Sequence, residues 1–180
     1  MKKIQKVLAL VFDGFEEIEL ITPVDLLRRA EADVLIAATG SSLLVTGRSR
    51  IHLTADCHLS SVNTASFDAL LIPGGPGIAA QRELGHIAPI AADFVANGKT
   101  VAAICAAPLI LADAGVLAGR KFTAHFSTGL HEADSSRPVV TDGPIITSRG
   151  AGTAMDFALA LLSHLCGDDT KSKVSSAIML

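Results

Sequence analysis

Short apolar runs alternate along this chain with longer amphipathic segments, and this alternation limits the possible folds more than any other feature. Three runs are mostly apolar, as expected of strands buried on both faces: 7–12, 67–72 and 100–104. Three longer segments have the apolar spacing of helices: 16–29, 87–97 and 153–165. Strands that alternate with helices predict an α/β fold, in which a mostly parallel sheet is covered by helices on both faces.

The rest of the chain extends this pattern. Further extended segments are predicted at 33–39, 43–53, 121–125 and 139–148. The second of these has apolar and polar residues in alternation around Gly47 and predicts a small hairpin. Pro23 lies inside the first helical segment and predicts a kink or a late start there, because proline cannot donate a helical hydrogen bond.

Composition narrows the class of protein. With 180 residues and 49% hydrophobic content, the chain suits one well-buried core, so residues 1–180 are expected to form a single domain. Nucleic acid is not an expected partner, because the net charge is −3 and there is no Trp or Tyr to stack on bases. Cys57, Cys105 and Cys166 lack C-x-x-C spacing, and the histidines apart from His125 lack paired spacing, so no disulfide framework or metal site is predicted.

No segment has the character of a secretory or membrane-spanning sequence. The lysines at positions 2, 3 and 6 precede an apolar run at 7–12 that is too short for a secretory signal. The longer apolar stretch at 101–116 is broken by Pro108 and Asp113. A cytoplasmic location without membrane contact is therefore expected.

Cys105 lies where a buried strand is expected to turn sharply into a helix. The segment 106–112 has helical character, with Pro108 in its first turn. A thiol at this position lies beside unpaired backbone N–H groups and the positive end of a helix dipole, both of which stabilise a thiolate. Cys105 is therefore predicted to be a nucleophile on a strand-to-helix elbow. The alternative is a buried and inert cysteine.

Ligand sites in such sheets lie beyond the carboxyl ends of the strands, where the connecting loops converge. Four segments are predicted to end there: the acidic turn at 13–19, the glycine loop at 73–77, the elbow at Cys105 and the chain from His125 onward. The sequence therefore brings carboxylates, a glycine loop, a thiol and an imidazole to one edge of the sheet.

The glycine loop has three interpretations. Residues 75–80 match the dinucleotide fingerprint G-x-G-x-x-A, but Pro76 removes an N–H that a pyrophosphate would use. Alternatively, Gly74 and Gly75 let the backbone approach Cys105, so that the N–H groups of Gly75 and Ala106 face an oxygen that develops negative charge. The third interpretation is a tight turn without chemistry.

Four motifs together resemble those of the ThiJ/PfpI superfamily, in the branch of the parkinsonism-associated protein deglycase and its bacterial relatives. The motifs are E-E-I-E-L-I-T-P-V-D-L-L-R-R-A at 16–30, L-I-P-G-G at 71–75, A-A-I-C-A-A-P at 102–108 and T-S-R-G-A-G-T-A-M-D-F-A-L-A at 147–160. The resemblance runs nearly end to end. It implies a flavodoxin-like α/β/α sandwich, a homodimer and a site without a cofactor, with Cys105 as nucleophile and Glu19 as its carboxyl partner.

The resemblance also bears on other residues. It implies that the face carrying Arg28 meets the partner subunit, with either Arg48 or Arg50 reaching the site across that interface. A histidine near the thiol occurs in some members, at the position of His125. Ala106 follows the cysteine where the protease-like branch has a histidine, which argues against a peptidase. Gly150-Ala151-Gly152 stands where relatives often have Gly-Pro-Gly.

These features predict a cofactor-independent cysteine enzyme. Its substrates would be reactive dicarbonyls such as methylglyoxal and glyoxal, or early glycation adducts of thiols and amines. Cys105 would add to the carbonyl, and Glu19 or His125 would move a proton between adjacent carbons. Beside a thiolate, Glu19 favours ionisation of the cysteine only if it is itself protonated. The main alternative is a redox sensor or chaperone that signals through oxidation of Cys105. A third interpretation is a glutamine amidotransferase subunit, which would also have a cysteine at such an elbow. The sequence lacks the His-x-Glu pair expected near the C-terminus of that class, which argues against it.

Overall fold

The structure, a computed structural model, describes residues 3–180, in which a seven-stranded sheet forms the centre. Its strands are β1 (Lys6–Val11), β2 (Asp33–Ala38), β5 (Cys57–His58), β6 (Ala69–Ile72), β7 (Thr100–Ile104), β8 (Val139–Asp142) and β9 (Ile145–Ser148). They lie in the order β5-β2-β1-β6-β7-β9-β8. All neighbouring pairs are parallel except β8 and β9, which form an antiparallel edge. The predicted mostly parallel sheet is confirmed.

Helices cover both faces of the sheet. They are α1 (Glu17–Arg29), α2 (Ile78–Leu84), α3 (Ile87–Ala96), α4 (Pro108–Asp113), α5 (Ala154–Cys166) and α6 (Asp168–Ala177). α1 packs on α5, which also packs on α6, while α2, α3 and α4 pack together as a second group. This three-layer arrangement is the flavodoxin-like α/β/α sandwich that was predicted.

The core lies in the three central strands. The side chains of β6 and β7 and those at 7–11 in β1 are buried. Removing this apolar surface from water is the main force that stabilises the sheet, and it explains why these strands read as continuous apolar runs. Polar residues therefore lie in the loops at the strand ends, where a functional site can form.

One local prediction was wrong, and one of two predicted alternatives is excluded. Residues 121–125 form no strand, because their N–H groups bond elsewhere: Lys121 to the Asp142 carboxylate and Thr123 to the Thr147 hydroxyl. α1 begins at Glu17 and runs through Pro23 to Arg29, so of the two alternatives predicted at Pro23, a kink or a late start, the late start does not occur.

A separate two-stranded hairpin, β3 (Leu44–Thr46) with β4 (His52–Thr54), lies beside the start of α1 and confirms the hairpin expected around Gly47. Its end is fixed by backbone bonds from Gly14 N–H to the Thr46 carbonyl, at 2.8 Å, and from Arg48 N–H to the Phe15 carbonyl, at 2.9 Å. The hairpin therefore covers the loop that follows β1.

Two further findings concern membranes and metals. Within residues 3–180 no helix is both long and apolar enough to cross a bilayer. The same part of the chain contains no group of three or more His, Cys, Asp or Glu side chains arranged to hold a metal ion.

The glycine loop after β6 packs tightly against the loop after β1. A Cβ atom on Gly77 would lie 2.1 Å from the Asp13 carbonyl oxygen and 2.8 Å from Phe12. We expect Gly77→Ala to lower the free energy of unfolding by about 1–3 kcal/mol, because the backbone of residue 13 must move to admit the methyl group. Urea unfolding measures this change.

Gly40→Ala is the matched control, because a Cβ there has no neighbour within 4 Å. It should leave the stability nearly unchanged. Equal effects of the two substitutions would contradict the close packing of the loops.

Candidate active site

Cys105 occupies the predicted elbow. It lies between the end of β7 and the start of α4 and has φ of +64°, a left-handed conformation that costs a non-glycine residue about 1–2 kcal/mol. Neighbouring segments hold this conformation. Cys105 N–H donates to the Ser148 carbonyl at 2.9 Å, and the Cys105 carbonyl accepts from His125 N–H at 2.9 Å. Both backbone groups of the elbow are therefore fixed by other parts of the chain.

The sulfur atom faces backbone donors. The N–H groups of Gly75 and Ala106 donate hydrogen bonds to Cys105 and lower the pKa of its thiol. α4 begins only at Pro108, later than the predicted start at 106, and has six residues. Individual N–H groups, more than a long helix dipole, therefore favour the thiolate.

The glycine loop approaches the cysteine too closely for any side chain on Gly74. A Cβ there would lie 2.6 Å from Cys105 Cβ and 2.7 Å from Glu19 Oε2. Gly75 has φ of +104°, and its Cβ would lie 2.3 Å from the Gly14 carbonyl. The predicted close approach of the loop to Cys105 is therefore observed, and the role of its N–H groups toward a developing oxygen charge stays a prediction. The glycines of the dinucleotide fingerprint pack on protein backbone instead, Gly75 against the Gly14 carbonyl and Gly77 against the Asp13 carbonyl.

Glu19 lies in the first turn of α1 with no exposed surface. Its Oε2 accepts the Gly74 N–H at 2.8 Å. Its Oε1 has no nitrogen or oxygen donor within the described chain, and the Cys105 thiol is the polar group beside it. The carboxyl group therefore joins α1, the glycine loop and the elbow.

Glu19 and Cys105 titrate as a pair. Burial raises the pKa of Glu19 to about 7, although the hydrogen bonds from Cys105 and Gly74 lower it. Burial first, and then the charge of ionised Glu19, together raise the pKa of Cys105 to about 12. The sequence predicted that the elbow stabilises the thiolate of Cys105, but in the structure burial and Glu19 together favour the thiol. Because the two groups share one dry space, the thiolate is favoured when the carboxyl group keeps the shared proton.

Two more acids at the start of α1 hold the hairpin. Glu16 pairs with Arg48, with Oε2 and Nη1 3.1 Å apart. Glu17 accepts the Ser49 N–H at 2.8 Å. Both glutamates are more than 90% buried. Arg48 is thus paired with an acid of its own chain, and the side chains of both Arg48 and Arg50 are exposed.

His125 lies beside the thiol. A Cβ built on Gly150 would be 3.4 Å from His125 Cδ2 and 3.8 Å from Cys105 Sγ, so Gly150 separates the two side chains by little more than a methyl group. His125 Nδ1 is 2.7 Å from the Ser127 hydroxyl. The ring stacks at 4.2 Å on Phe126, which is 88% exposed.

The predicted site residues fall into two groups. Those brought together are Glu19, Gly74, Gly75, Cys105, Ala106 and His125. Arg28 lies apart, at the other end of α1, where its guanidinium contacts the Val34 carbonyl at 3.0 Å and Asp56 at 3.4 Å. Sequence reasoning missed Arg149 and Gly150, although both lie in the T-S-R-G motif at 147–150.

The ionisation of Glu19 makes stability depend on pH. Its pKa is about 7 in the folded protein, above the ordinary value of 4.5 for a glutamate in water, so the folded state binds the proton more tightly than the unfolded chain does. The resulting stabilisation is complete below pH 4.5 and is lost as the pH rises through 7. Relative to Glu19→Gln, the wild type should lose up to about 3 kcal/mol between pH 4.5 and 8.

Denaturant unfolding of both proteins at pH 5 and pH 8 measures this difference. Glu83→Gln, which removes an exposed carboxylate, is the control. A wild-type to Glu19→Gln difference that stays constant with pH would contradict the raised pKa of Glu19.

Comparison with known proteins places this site in a family. The DJ-1/PfpI family profile matches residues 5–164. The chain is 34% identical over 183 residues to protein DJ-1 homolog B of Arabidopsis thaliana, covering 97% of this chain but only 41% of that longer protein. The chain also spans less than half of the length of homolog A from the same plant.

Two shorter relatives have names that describe activities. The glutathione-independent glyoxalase DJR-1.2 of Caenorhabditis elegans is 31% identical over 172 residues, covering 92% of this chain and 90% of that protein. The deglycase PYRAB04690 of Pyrococcus abyssi is 35% identical over 154 residues, covering 82% and 91%.

A solved structure agrees with the fold. The crystal structure of Drosophila melanogaster DJ-1beta superposes with a TM-score of 0.93 at 32% identity, covering 99% of both chains. The elbow cysteine, the glycine loop and the acidic start of α1 thus lie in a chain that matches the family in profile, sequence and structure. This chain belongs to the DJ-1/PfpI family.

Proposed function

We propose that this protein is a cofactor-independent cysteine enzyme that converts α-oxoaldehydes such as methylglyoxal and glyoxal into α-hydroxy acids without glutathione. The observation that supports this most is the geometry at Cys105, where two backbone donors and a buried carboxyl group surround one thiol. Relatives named as a glyoxalase and a deglycase support the same class of chemistry.

The first step forms a carbon–sulfur bond. The Cys105 thiolate adds to the aldehyde carbon, and the carbonyl electron pair moves to oxygen. The N–H groups of Gly75 and Ala106, which face the sulfur, lie where they stabilise negative charge as it leaves the sulfur for the oxygen. Protonated Glu19 gives its proton to the alkoxide, and the product is a hemithioacetal.

The second step moves hydrogen between adjacent carbons. A base removes the proton from the carbon bound to sulfur, an enediol forms, and the neighbouring carbon is protonated. Glu19, ionised after the first step, is one candidate base, and His125 is the other. The product is a thioester of Cys105 with the hydroxy acid. Water hydrolyses this thioester, releasing the acid and restoring the thiol.

Early glycation adducts would use the same groups. A hemithioacetal or aminocarbinol releases its free aldehyde reversibly, and a Cys105 thiolate can capture that aldehyde as in the first step. Deglycation would then be completed by the same proton transfer and hydrolysis. The site thus supports both activities through one intermediate.

A redox sensor or chaperone is the second candidate, and the same donors favour it. Peroxide oxidises a thiolate to a sulfenate with release of water, and a second peroxide gives a sulfinate. The N–H groups at Cys105 and a protonated Glu19 could hold the sulfinate oxygens. In that case the protein would show peroxide-dependent protection of unfolding clients and no turnover of dicarbonyls.

The role of Glu19 in the enzyme can be tested by separating thiol reactivity from turnover. Cys105→Ala should abolish conversion of methylglyoxal to lactate in the absence of glutathione. Glu19→Gln keeps a hydrogen-bond donor but cannot transfer a proton, so turnover should fall about 100-fold or more. Iodoacetamide should still alkylate Cys105 in this variant. Lactate analysis and mass spectrometry of the labelled cysteines measure the two effects.

Glu83→Gln serves again as the exposed control. Full turnover in Glu19→Gln would assign the proton transfer to another group, with His125 next. Absence of turnover in the wild type, together with peroxide-dependent chaperone activity, would replace the enzyme with the sensor.

We also propose that the protein is a homodimer that pairs through the exposed face of α1. Ile18 and Ile21, three residues apart on one face of the helix, are 51% and 43% exposed, and Ile51 on the adjoining hairpin is 59% exposed. Apolar side chains in such a cluster indicate an interface, and a second copy fits because the family resemblance implies pairing here. Arg28, which is half-exposed on the same helix, would lie at the edge of this dimer interface.

Light scattering should report a mass near twice 18.6 kDa for the wild type. Ile18→Glu should shift the protein to a monomer, because a charge would be buried in the interface. Leu84→Glu, on the similarly exposed Leu84 of α2, is the control and should leave the mass unchanged. A monomeric wild type at micromolar concentration would contradict the dimer.

A further inference from the structure

Arg149 is one of two arginines without an acidic partner in the part of the chain that the structure describes. The sequence contains eight arginines, and six of them form ion pairs with Asp or Glu: Arg28, Arg29, Arg48, Arg82, Arg120 and Arg137. The other unpaired arginine, Arg50, is exposed to solvent, but Arg149 is partly buried.

The environment of Arg149 leaves most of its donors free. Its Nη1 donates to the Ser135 carbonyl at 2.9 Å. A guanidinium has five N–H donors in a planar fork that suits two parallel hydrogen bonds to a carboxylate or a phosphate. A partly buried cation with free donors and no counter-charge favours a bound anion.

Arg149 also lines a cavity whose wall includes His125, one of the predicted site residues. The cavity has a volume of about 490 Å³, and Arg149, His125, Phe126, Gly150 and Thr153 lie in its wall. Its lining contains no Asp or Glu. Gly150 is the point of contact with the thiol, because a Cβ there would be 3.8 Å from Cys105 Sγ. Cys105 itself is not in the wall of this cavity, so the cavity and the thiol adjoin at Gly150 and His125.

The volume of this cavity is larger than a three-carbon substrate requires. Volumes of 300–1,000 Å³ are typical of sites for larger ligands. Methylglyoxal and glyoxal are also uncharged, so neither would use the free guanidinium. Both observations point to a substrate with an additional, negatively charged part.

We propose that Arg149 determines specificity by binding an anionic group, carboxylate or phosphate, that lies a few bonds from the carbonyl attacked by Cys105. This inference rests on the proposed function. The preferred substrates are then anionic α-oxoaldehydes, and methylglyoxal is a minimal substrate that occupies only the part of the site next to the thiol.

A matched pair of substrates tests this proposal. 4,5-Dioxopentanoate and 2-oxopentanal have the same five-carbon oxoaldehyde skeleton, and only the first carries a carboxylate. The wild type should have the higher kcat/KM for 4,5-dioxopentanoate. Arg149→Gln should lower the ratio of the two kcat/KM values about 10- to 100-fold, mainly through KM for the anionic substrate. Arg149→Lys should retain part of the preference.

Arg29→Gln is the control, because it removes the same charge at the far end of α1. It should keep the wild-type ratio, whereas steering by net charge alone would change the ratio in both variants and would overturn the proposal. An equal loss on both substrates in Arg149→Gln would assign Arg149 a structural role, through its bond to Ser135, and would overturn it too. A wild type with equal kcat/KM for the two substrates would also overturn the proposal.

A second measurement does not require turnover. 4-Oxopentanoate should slow the alkylation of Cys105 by iodoacetamide in the wild type but not in Arg149→Gln, and the neutral analogue 2-pentanone should protect neither. Inorganic phosphate, added instead of 4-oxopentanoate, tests whether the proposed anion site accepts a phosphate group as well as a carboxylate. If the wild type converts neither oxoaldehyde, the proposed function fails, but Arg149-dependent protection would still support an anion site. Equal protection in both proteins would overturn it.

Discussion

The buried carboxyl group of Glu19 is the contact on which the site depends. It joins three segments that are far apart in sequence: the first turn of α1, the glycine loop through the N–H of Gly74, and the elbow through Cys105. A carboxyl group without exposed surface is costly to ionise. Its raised pKa is therefore a direct consequence of where the fold puts it, and the same burial makes it a proton donor near neutral pH.

Close approach of backbones makes this contact possible. Gly74 lies against the Cβ of Cys105, and Gly75 and Gly77 lie against the carbonyls of Gly14 and Asp13, with no room for a side chain at any of the three. Because the chain between β6 and α2 has no side chains at these positions, its backbone N–H groups can come close to Cys105. These groups face the sulfur, where a catalyst that relies on fixed donors needs them.

The acidic start of α1 has separate roles for its three glutamates. Glu16 binds Arg48 and Glu17 binds the backbone of Ser49, so both fix the hairpin over the loop after β1. Only Glu19 points to the thiol. Because Arg48 is already paired with Glu16, it is less available to a substrate anion than Arg149, whose fork is largely free. Arg48 thus has a structural ion pair, whereas the guanidinium of Arg149 has no acidic partner within residues 3–180.

Much of the fold could be predicted from the sequence, because strands buried on both faces must be apolar throughout. The runs at 7–12, 67–72 and 100–104 met that condition and became β1, β6 and β7. The segment 121–125 looked similar but forms no strand, since its donors bond to the side chains of Asp142 and Thr147. Such long-range partners leave no local signal.

The sequence by itself determined the sheet, the elbow at Cys105 and the loops that meet beside it, because periodicity and glycine positions are local properties. The resemblance of the motifs already implied Glu19 as the partner of the thiol, and the tertiary structure decided that this carboxyl group is fully buried and that Arg48 binds an acid of its own chain. It also decided that Arg149 faces a cavity without a counter-charge. The physical reason is that pKa values and charge pairing depend on burial and distance between segments, which chain order does not specify.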